Sequence, residues 1–209
     1  MFDTIRETDL SSNAEYERSS TITRHITTDS VRAVPHYEPW HDVTSLRDLL
    51  PITNVMLNRI DDSVSEATDD GAYVDARSVL GSAASVGQGA AIGAKLTTGE
   101  SAHVRPNATI KNPVEFPDVS IESGAVIEDS TIEAGMTTGA NTTIRGGGST
   151  RTIRGTIHDD VRLEAVVGDN TELGREVVLS TGTTIGKTPT VGRGRTASGR
   201  IGDQMVWRE

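Results

Sequence analysis

From Val74 onward the apolar positions recur every six residues, at Val74, Leu80, Val86, Ile92, Val104 and Ile110, with Thr98 in phase between them. A second run in the same step comprises Val167, Leu173, Leu179, Ile185, Val191 and Ala197. Between the two, Ile121, Ile127, Ile132, Thr138 and Ile144 keep the pattern with one five-residue step. Glycine follows the register position at Gly81, Gly87, Gly93 and Gly99, and a small residue falls four positions after it at Ala84, Ala90 and Ala108. An amphipathic helix repeats near 3.6 residues and a half-buried strand near two, so this period belongs to neither.

A step of six suits a chain wound as a three-sided prism, one hexad per side, with stacked turns burying each other's apolar rows. The predicted architecture is mainly β, a left-handed parallel β-helix of about seven turns between Val74 and Ile201. Glycine and small residues are expected to ease the corners. Two stretches break the register and read as loops leaving the prism: "NPVEFPDVS" (112–120) and "RGGGSTRTIRG" (145–155).

Upstream the pattern changes. Leu49, Ile52, Met56 and Ile60 form a helical stripe, with Ser45 and Asp48 spaced as a capping box at its start. Pro51 is expected to kink or stop that helix. The acidic segment "DDSVSEATDDG" (61–71) reads as a linker. The chain thus divides into residues 1–60, a linker 61–71 and a β-helix over 72–209.

Composition narrows the chemistry. Aromatic residues make up only 3%, as a narrow interior requires. There is no cysteine, which excludes disulfides and thiolate metal sites. Acidic residues outnumber basic ones 30 to 20, so a phosphate-neutralising nucleic-acid surface is not expected. Only Lys95, Lys111 and Lys187 are lysines, and the acid-rich, lysine-poor surface fits solubility at high salt. No apolar run is long enough to span a bilayer, and the N-terminal residues lack the order of a signal peptide, so no membrane association and a cytoplasmic location are expected.

Few residues suggest catalysis. His103 lies inside the first regular run, beside inward-facing Val104, where a neutral imidazole can act as a general base in acyl transfer or sit exposed at a corner. His158 flanks the second break, and His25, His36 and His41 are too scattered for a metal cluster. "VGRGRTASGRIGDQ" lacks the strand-then-helix context of a phosphate loop and stays in the six-residue register.

The stretch "PWHDVTSLRDLL", with Trp40, Asp42, Leu49 and Leu50, resembles the end of the catalytic domain of sugar-1-phosphate nucleotidyltransferases, although Thr44 replaces the family's glycine. Glu15, Tyr16 and Glu17 are similar to that family's preceding Gly-Glu-(Tyr or Leu)-Glu element, while Arg18, Ser19 and Ser20 depart from it. "AVVGDNTELGREVVLSTGTTIG" resembles the β-helical tails many members carry. The resemblance implies a short α/β remnant of a catalytic domain ahead of the β-helix, with Glu15 and Glu17 near substrate and Asp42 as one ligand of a magnesium ion. The nucleotide-binding loop and the second carboxylate are missing, so nucleotidyl transfer is not expected from this chain alone. A separately encoded nucleotide-binding half is then the implied partner.

Two other functions compete. Bifunctional relatives of that family place an acetyl-CoA-dependent amino-sugar acetyltransferase in the β-helix. In "HVRPNATIKN", His103 resembles its catalytic histidine, and Lys111 and Asn112 its acyl-donor-related Lys-Asn pair, although Arg105-Pro106 stands for Gly-Asn. The remaining reading is a structural module that assembles a homo-oligomer, a trimer by analogy with other hexapeptide proteins.

Overall fold

The computed structural model describes residue 26 and residues 34–38, 40–59, 68–93, 96–115 and 117–207. The chain falls into two compact units, Met1–Trp40 and His41–Glu209. Of the first, residue 26 and residues 34–38 and 40 are described, all exposed, with Ile26 helical.

The second unit is the left-handed parallel β-helix the six-residue step predicts. The strands of its coils are two or three residues long and fall into three parallel sheets, one per face. Face one runs over seven strands from Tyr73–Val74 to Thr196–Ala197, and face two over seven from Ser85–Val86 to Val206–Trp207. Face three has five strands, from Val114–Glu115 to Arg200–Ile201, extended at its start by the single-residue bridges Val79↔Thr97 and Thr97↔Val114. Residues one coil apart are paired in register, as in Ile92↔Ile110, Ile110↔Ile127 and Ile127↔Ile144. The aliphatic rows therefore stack directly, and Ile92, Ile110, Ile127 and Ile144 are each 0% exposed.

A second inward row lies at the position read as small. Ala84, Ala90 and Ala108 are buried there, but so are Leu96, Val119, Met136 and Val177. Two threonines that enter the interior have partners for their hydroxyls. Thr98 Oγ1 accepts a hydrogen bond from the Gly81 N–H at 3.0 Å, and Thr138 Oγ1 from the Glu122 N–H at 2.9 Å. Each hydroxyl satisfies a backbone donor at a corner, which is why threonine is tolerated in an aliphatic row.

The glycines work differently from the expectation. Those after the aliphatic are not the left-handed residues; a Cβ on Gly87 would stand 2.9 Å from Pro106 of the next coil, so the residue permits close stacking. The left-handed positions lie two residues further on and form rows of their own. One row runs through Gly89, Asn107, Gly124, Asn141, Glu176 and Gly194, all with positive φ. Asparagine shares this row because its short amide tolerates that conformation better than other side chains.

Of the two predicted breaks, only the second leaves the prism. "NPVEFPDVS" stays in the coil, since Val114–Glu115 pairs in parallel with Thr131 and Ile132. Its prolines fall outside the two paired residues, where no ladder N–H is needed. "RGGGSTRTIRG" opens an antiparallel hairpin, Gly147–Ile153 with Thr156–Leu163, after which the coils resume in register.

Ahead of the prism, a 3₁₀ turn at Leu46–Asp48 leads into helix α1, Leu49–Leu57. The Asp48 carboxylate accepts the backbone N–H groups of Thr44 at 2.9 Å and Ser45 at 2.7 Å, the acidic half of the expected capping box. These donors hold its carboxyl below the usual carboxylate pKa, the Thr44 N–H contributing most. Pro51 neither kinks nor stops α1; it lies in the first turn, where a helical N–H has no required partner. The buried face is also rotated from the predicted stripe. Leu50 and Leu57 are buried, Met56 is 63% exposed, and Ile60 lies outside the described residues. The helix packs against the Val114–Glu115 and Ser130–Ile132 strands of face three. There the outward residues Val114, Thr131 and Val166 are buried, whereas Ser85, His103 and Thr137 on face two are exposed. Burying Leu50 and Leu57 contributes about 1.5–3 kcal/mol each.

Candidate functional site

Face two carries a histidine on its outward row, where Ser85, His103 and Thr137 are exposed. Its outward row runs through Ser85, His103, Ser120, Thr137, Glu172 and Thr190, one residue per coil. His103 and Ser85 are directly opposed in parallel register, and His103 Nδ1 lies 2.8 Å from Ser85 Oγ. The prism makes this pair from residues 18 apart, one full coil. A hydrogen bond at Nδ1 fixes the ring's orientation and selects its tautomer, which leaves Nε2 for proton transfer. The pair is a base with an orienting hydroxyl on an exposed surface flanked by small hydroxyl side chains.

The other sequence candidates are not gathered around it. Lys111 lies on face one, in register with Glu128 and through it with Arg145; its Nζ is 3.4 Å from Glu128 Oε1, and Arg145 Nε is 3.5 Å from Glu128 Oε2. Such exposed pairs contribute at most about 1 kcal/mol each. Asn112 occupies the corner between faces one and three in the left-handed conformation, and its Nδ2 donates to Asp129 Oδ1 on the next coil. That corner is opposite face two, so within one protomer the structure separates Asn112 from His103.

Asp42 is exposed in irregular chain ahead of the 3₁₀ turn. Among the described residues no group of three or more His, Asp or Glu side chains is placed to hold a metal ion, so the expected magnesium ligation gains no support. Glu15, Tyr16, Glu17 and His25 lie outside the described residues. His36 and His41 are exposed in irregular chain, and His158 is exposed on the hairpin opposite Arg151. No helix among the described residues is long and apolar enough to cross a membrane.

Ser85 was not singled out from the sequence. The signal that finds it is the coil length: a residue one coil before a candidate base, in the same phase, is its neighbour in a parallel solenoid.

The chain matches no protein-family model, and no curated protein matches it significantly. It is similar in structure to a UDP-N-acetylglucosamine acyltransferase from Campylobacter jejuni, with 16% identity, a TM-score of 0.47, and coverage of 67% of this chain and 66% of that one. A perosamine N-acetyltransferase variant from Caulobacter crescentus, in complex with CoA and GDP-perosamine, shares 18% identity with a TM-score of 0.33, over 70% of this chain and 54% of that one. The acetyltransferase domain of PglB from Neisseria gonorrhoeae FA1090, in complex with acetyl coenzyme A, gives 16% and 0.34, over 63% and 50%. The chain thus spans between half and two thirds of the length of these proteins. At these identities and TM-scores the likenesses carry no argument about its activity.

Proposed function

We propose that this chain is an acyltransferase that moves an acyl group from an acyl-CoA thioester to an amine or hydroxyl of a small acceptor, with His103 as the general base. The observation that carries the reading is the 2.8 Å contact between His103 Nδ1 and Ser85 Oγ, both exposed on face two. With the Nδ1 proton donated to Ser85 Oγ, the lone pair of Nε2 takes the proton of the attacking amine or hydroxyl. A C–N or C–O bond forms at the thioester carbonyl, the C–S bond breaks, and the proton passes to the leaving thiolate as CoA–SH. Ser85 is the positioning residue in this scheme, because it acts through the imidazole.

A flat face gives an acceptor few walls, so the site is completed by a second copy of the chain, in the homotrimer expected of this repeat. The nucleotidyltransferase origin gains no structural support, since it rests on Glu15 and Glu17, outside the described residues, and on the exposed Asp42.

The test is acetyl-CoA titration followed by thiol release with a panel of amino sugars and sugar alcohols. Saturable acetyl-CoA binding is expected, with His103→Asn reducing turnover about 10²–10⁴-fold. Ser85→Ala should cost less and shift the pH profile of turnover, as a positioning role requires. No acetyl-CoA binding at millimolar concentration, or full turnover in His103→Asn, removes the reading.

A further inference from the structure

We propose that Ser85 and His103 also act as a nucleophile and its base, giving the chain a hydrolase activity toward short-chain carboxylic esters. The activity shares the imidazole base with the acyltransferase reading, but it needs no CoA and gives Ser85 a different role. The hydrogen bond between the two side chains can run either way. With the ring proton on Nδ1 the imidazole donates to Ser85 Oγ; with it on Nε2 the hydroxyl donates to Nδ1 across the same 2.8 Å. The second arrangement is a hydroxyl held by a base, within the ~2.6–3.2 Å reach that activates a serine nucleophile.

The scaffold holds the pair on strands rather than loops. The Ser85 N–H donates to the Ala102 carbonyl at 2.9 Å and the His103 N–H to the Val119 carbonyl at 2.8 Å. Val86 and Val104, the next residue of each strand, are buried in the prism and anchor both backbones. Two residues beyond His103, on the same outward side, stands exposed Arg105. Its Cα is roughly 6.5 Å along the strand from that of His103, a span an arginine side chain covers. Its Nε is 3.8 Å from Glu122 Oε1, a loose pair on a side chain that is 56% exposed, so other guanidinium N–H groups can turn to a developing oxyanion. Gly87, in phase with Arg105 one coil back, carries no side chain to fill the space beside Ser85.

The reaction has two steps. Ser85 Oγ attacks the ester carbonyl as its proton passes to His103 Nδ1, and Arg105 faces the charge that develops on the carbonyl oxygen. The bond to the leaving alcohol breaks, the alcohol takes the proton from Nδ1, and the acyl group remains on Ser85 as an ester. Water then gives a proton to His103 and attacks that ester. The carboxylic acid departs, and the proton returns from Nδ1 to Ser85 Oγ.

The experiment is p-nitrophenyl acetate hydrolysis by the full chain, followed by intact mass and peptide mapping after a brief exposure. A burst of p-nitrophenolate of up to about one equivalent per chain is expected, with the acetyl group on Ser85. Ser85→Ala should lose both the burst and the adduct, whereas direct acyl transfer from acetyl-CoA should survive it in large part. His103→Asn should slow acylation about 10²-fold or more, and Arg105→Gln about tenfold. All three side chains are exposed, so circular dichroism of the variants should match the parent. An adduct on His103 or a lysine in place of Ser85 overturns the proposal, as does undiminished turnover in Ser85→Ala or no turnover above the uncatalysed rate. None of these outcomes touches the acetyl-CoA titration, which tests the acyltransferase reading separately.

Discussion

Replacing Ile127 by alanine tests how the prism is held together. Ile127 is 0% exposed and lies between Ile110 on one coil and Ile144 on the next, both bonded to it through the backbone ladder. The substitution removes three buried carbons, worth about 2.4 kcal/mol at ~0.8 kcal/mol each. The coils on either side are pinned by hydrogen bonds and cannot close the gap. A residual cavity of roughly 60–80 Å³ at about 24 cal/mol per Å³ adds about 1.5–2 kcal/mol. The expected loss is therefore about 4 kcal/mol. Ile201→Ala removes the same atoms from the last strand of face three, where Ile201 has one in-register neighbour, Ile185, and is 7% exposed. Relaxation at that edge should limit the loss to about 1–2 kcal/mol. Urea unfolding followed by far-UV circular dichroism, at matched protein concentration and with m-values compared, measures both. An Ile201→Ala cost equal to or above that of Ile127→Ala would refute the nearest-neighbour reasoning.

Two further outcomes are expected. Gly89→Ala should lower stability more than Gly194→Ala: both glycines have positive φ, near +70°, but a Cβ on Gly89 would stand 2.6 Å from Asn107 Oδ1 while Gly194 has open space. The left-handed cost of about 1–2 kcal/mol is common to both, so the difference in melting free energy reads the carboxamide contact alone. Asp48 has a folded-state pKa below its ordinary 3.8, so its contribution is present above that value and is lost as pH falls through the folded pKa. The α1 amides should then lose hydrogen-exchange protection in acid before the coil amides do, and Asp48→Asn should remove that pH dependence; unchanged acid sensitivity in the variant contradicts the assignment.

The repeat was legible because six-residue spacing is a local property. Val86, Val104 and Ile121 announce an inward row without any knowledge of what lies beside them. Leu96 and Met136 were less legible, because a position read as small from Ala84, Ala90 and Ala108 accepts larger residues wherever the facing rows leave room. "NPVEFPDVS" misled because proline pairs usually mark loops, whereas this strand needs only two residues free of proline. The rotated face of α1 depends on what the helix covers, namely Val114 and Thr131 of face three, and that surface exists only once the prism has formed. His103 was found from its residue type, but Ser85 became its partner through coil stacking. Asn54, Asn112 and Arg162 are distant in sequence, and only the helix and the hairpin bring them around one cavity of about 480 Å³.

The hairpin at Gly147–Leu163 has an evolutionary consequence. Its two ends leave and rejoin the same coil, and the pairs on either side, Ile127↔Ile144 and Ile144↔Leu179, keep one register across it. Lengthening such an excursion costs only about 0.6 kcal/mol per doubling, because the junction is already closed by the coil. The excursion is therefore a replaceable cassette: its sequence can drift, grow or be exchanged while the scaffold stays fixed. Drift in the cassette would leave Ser85 and His103, stacked in register on face two, where they are.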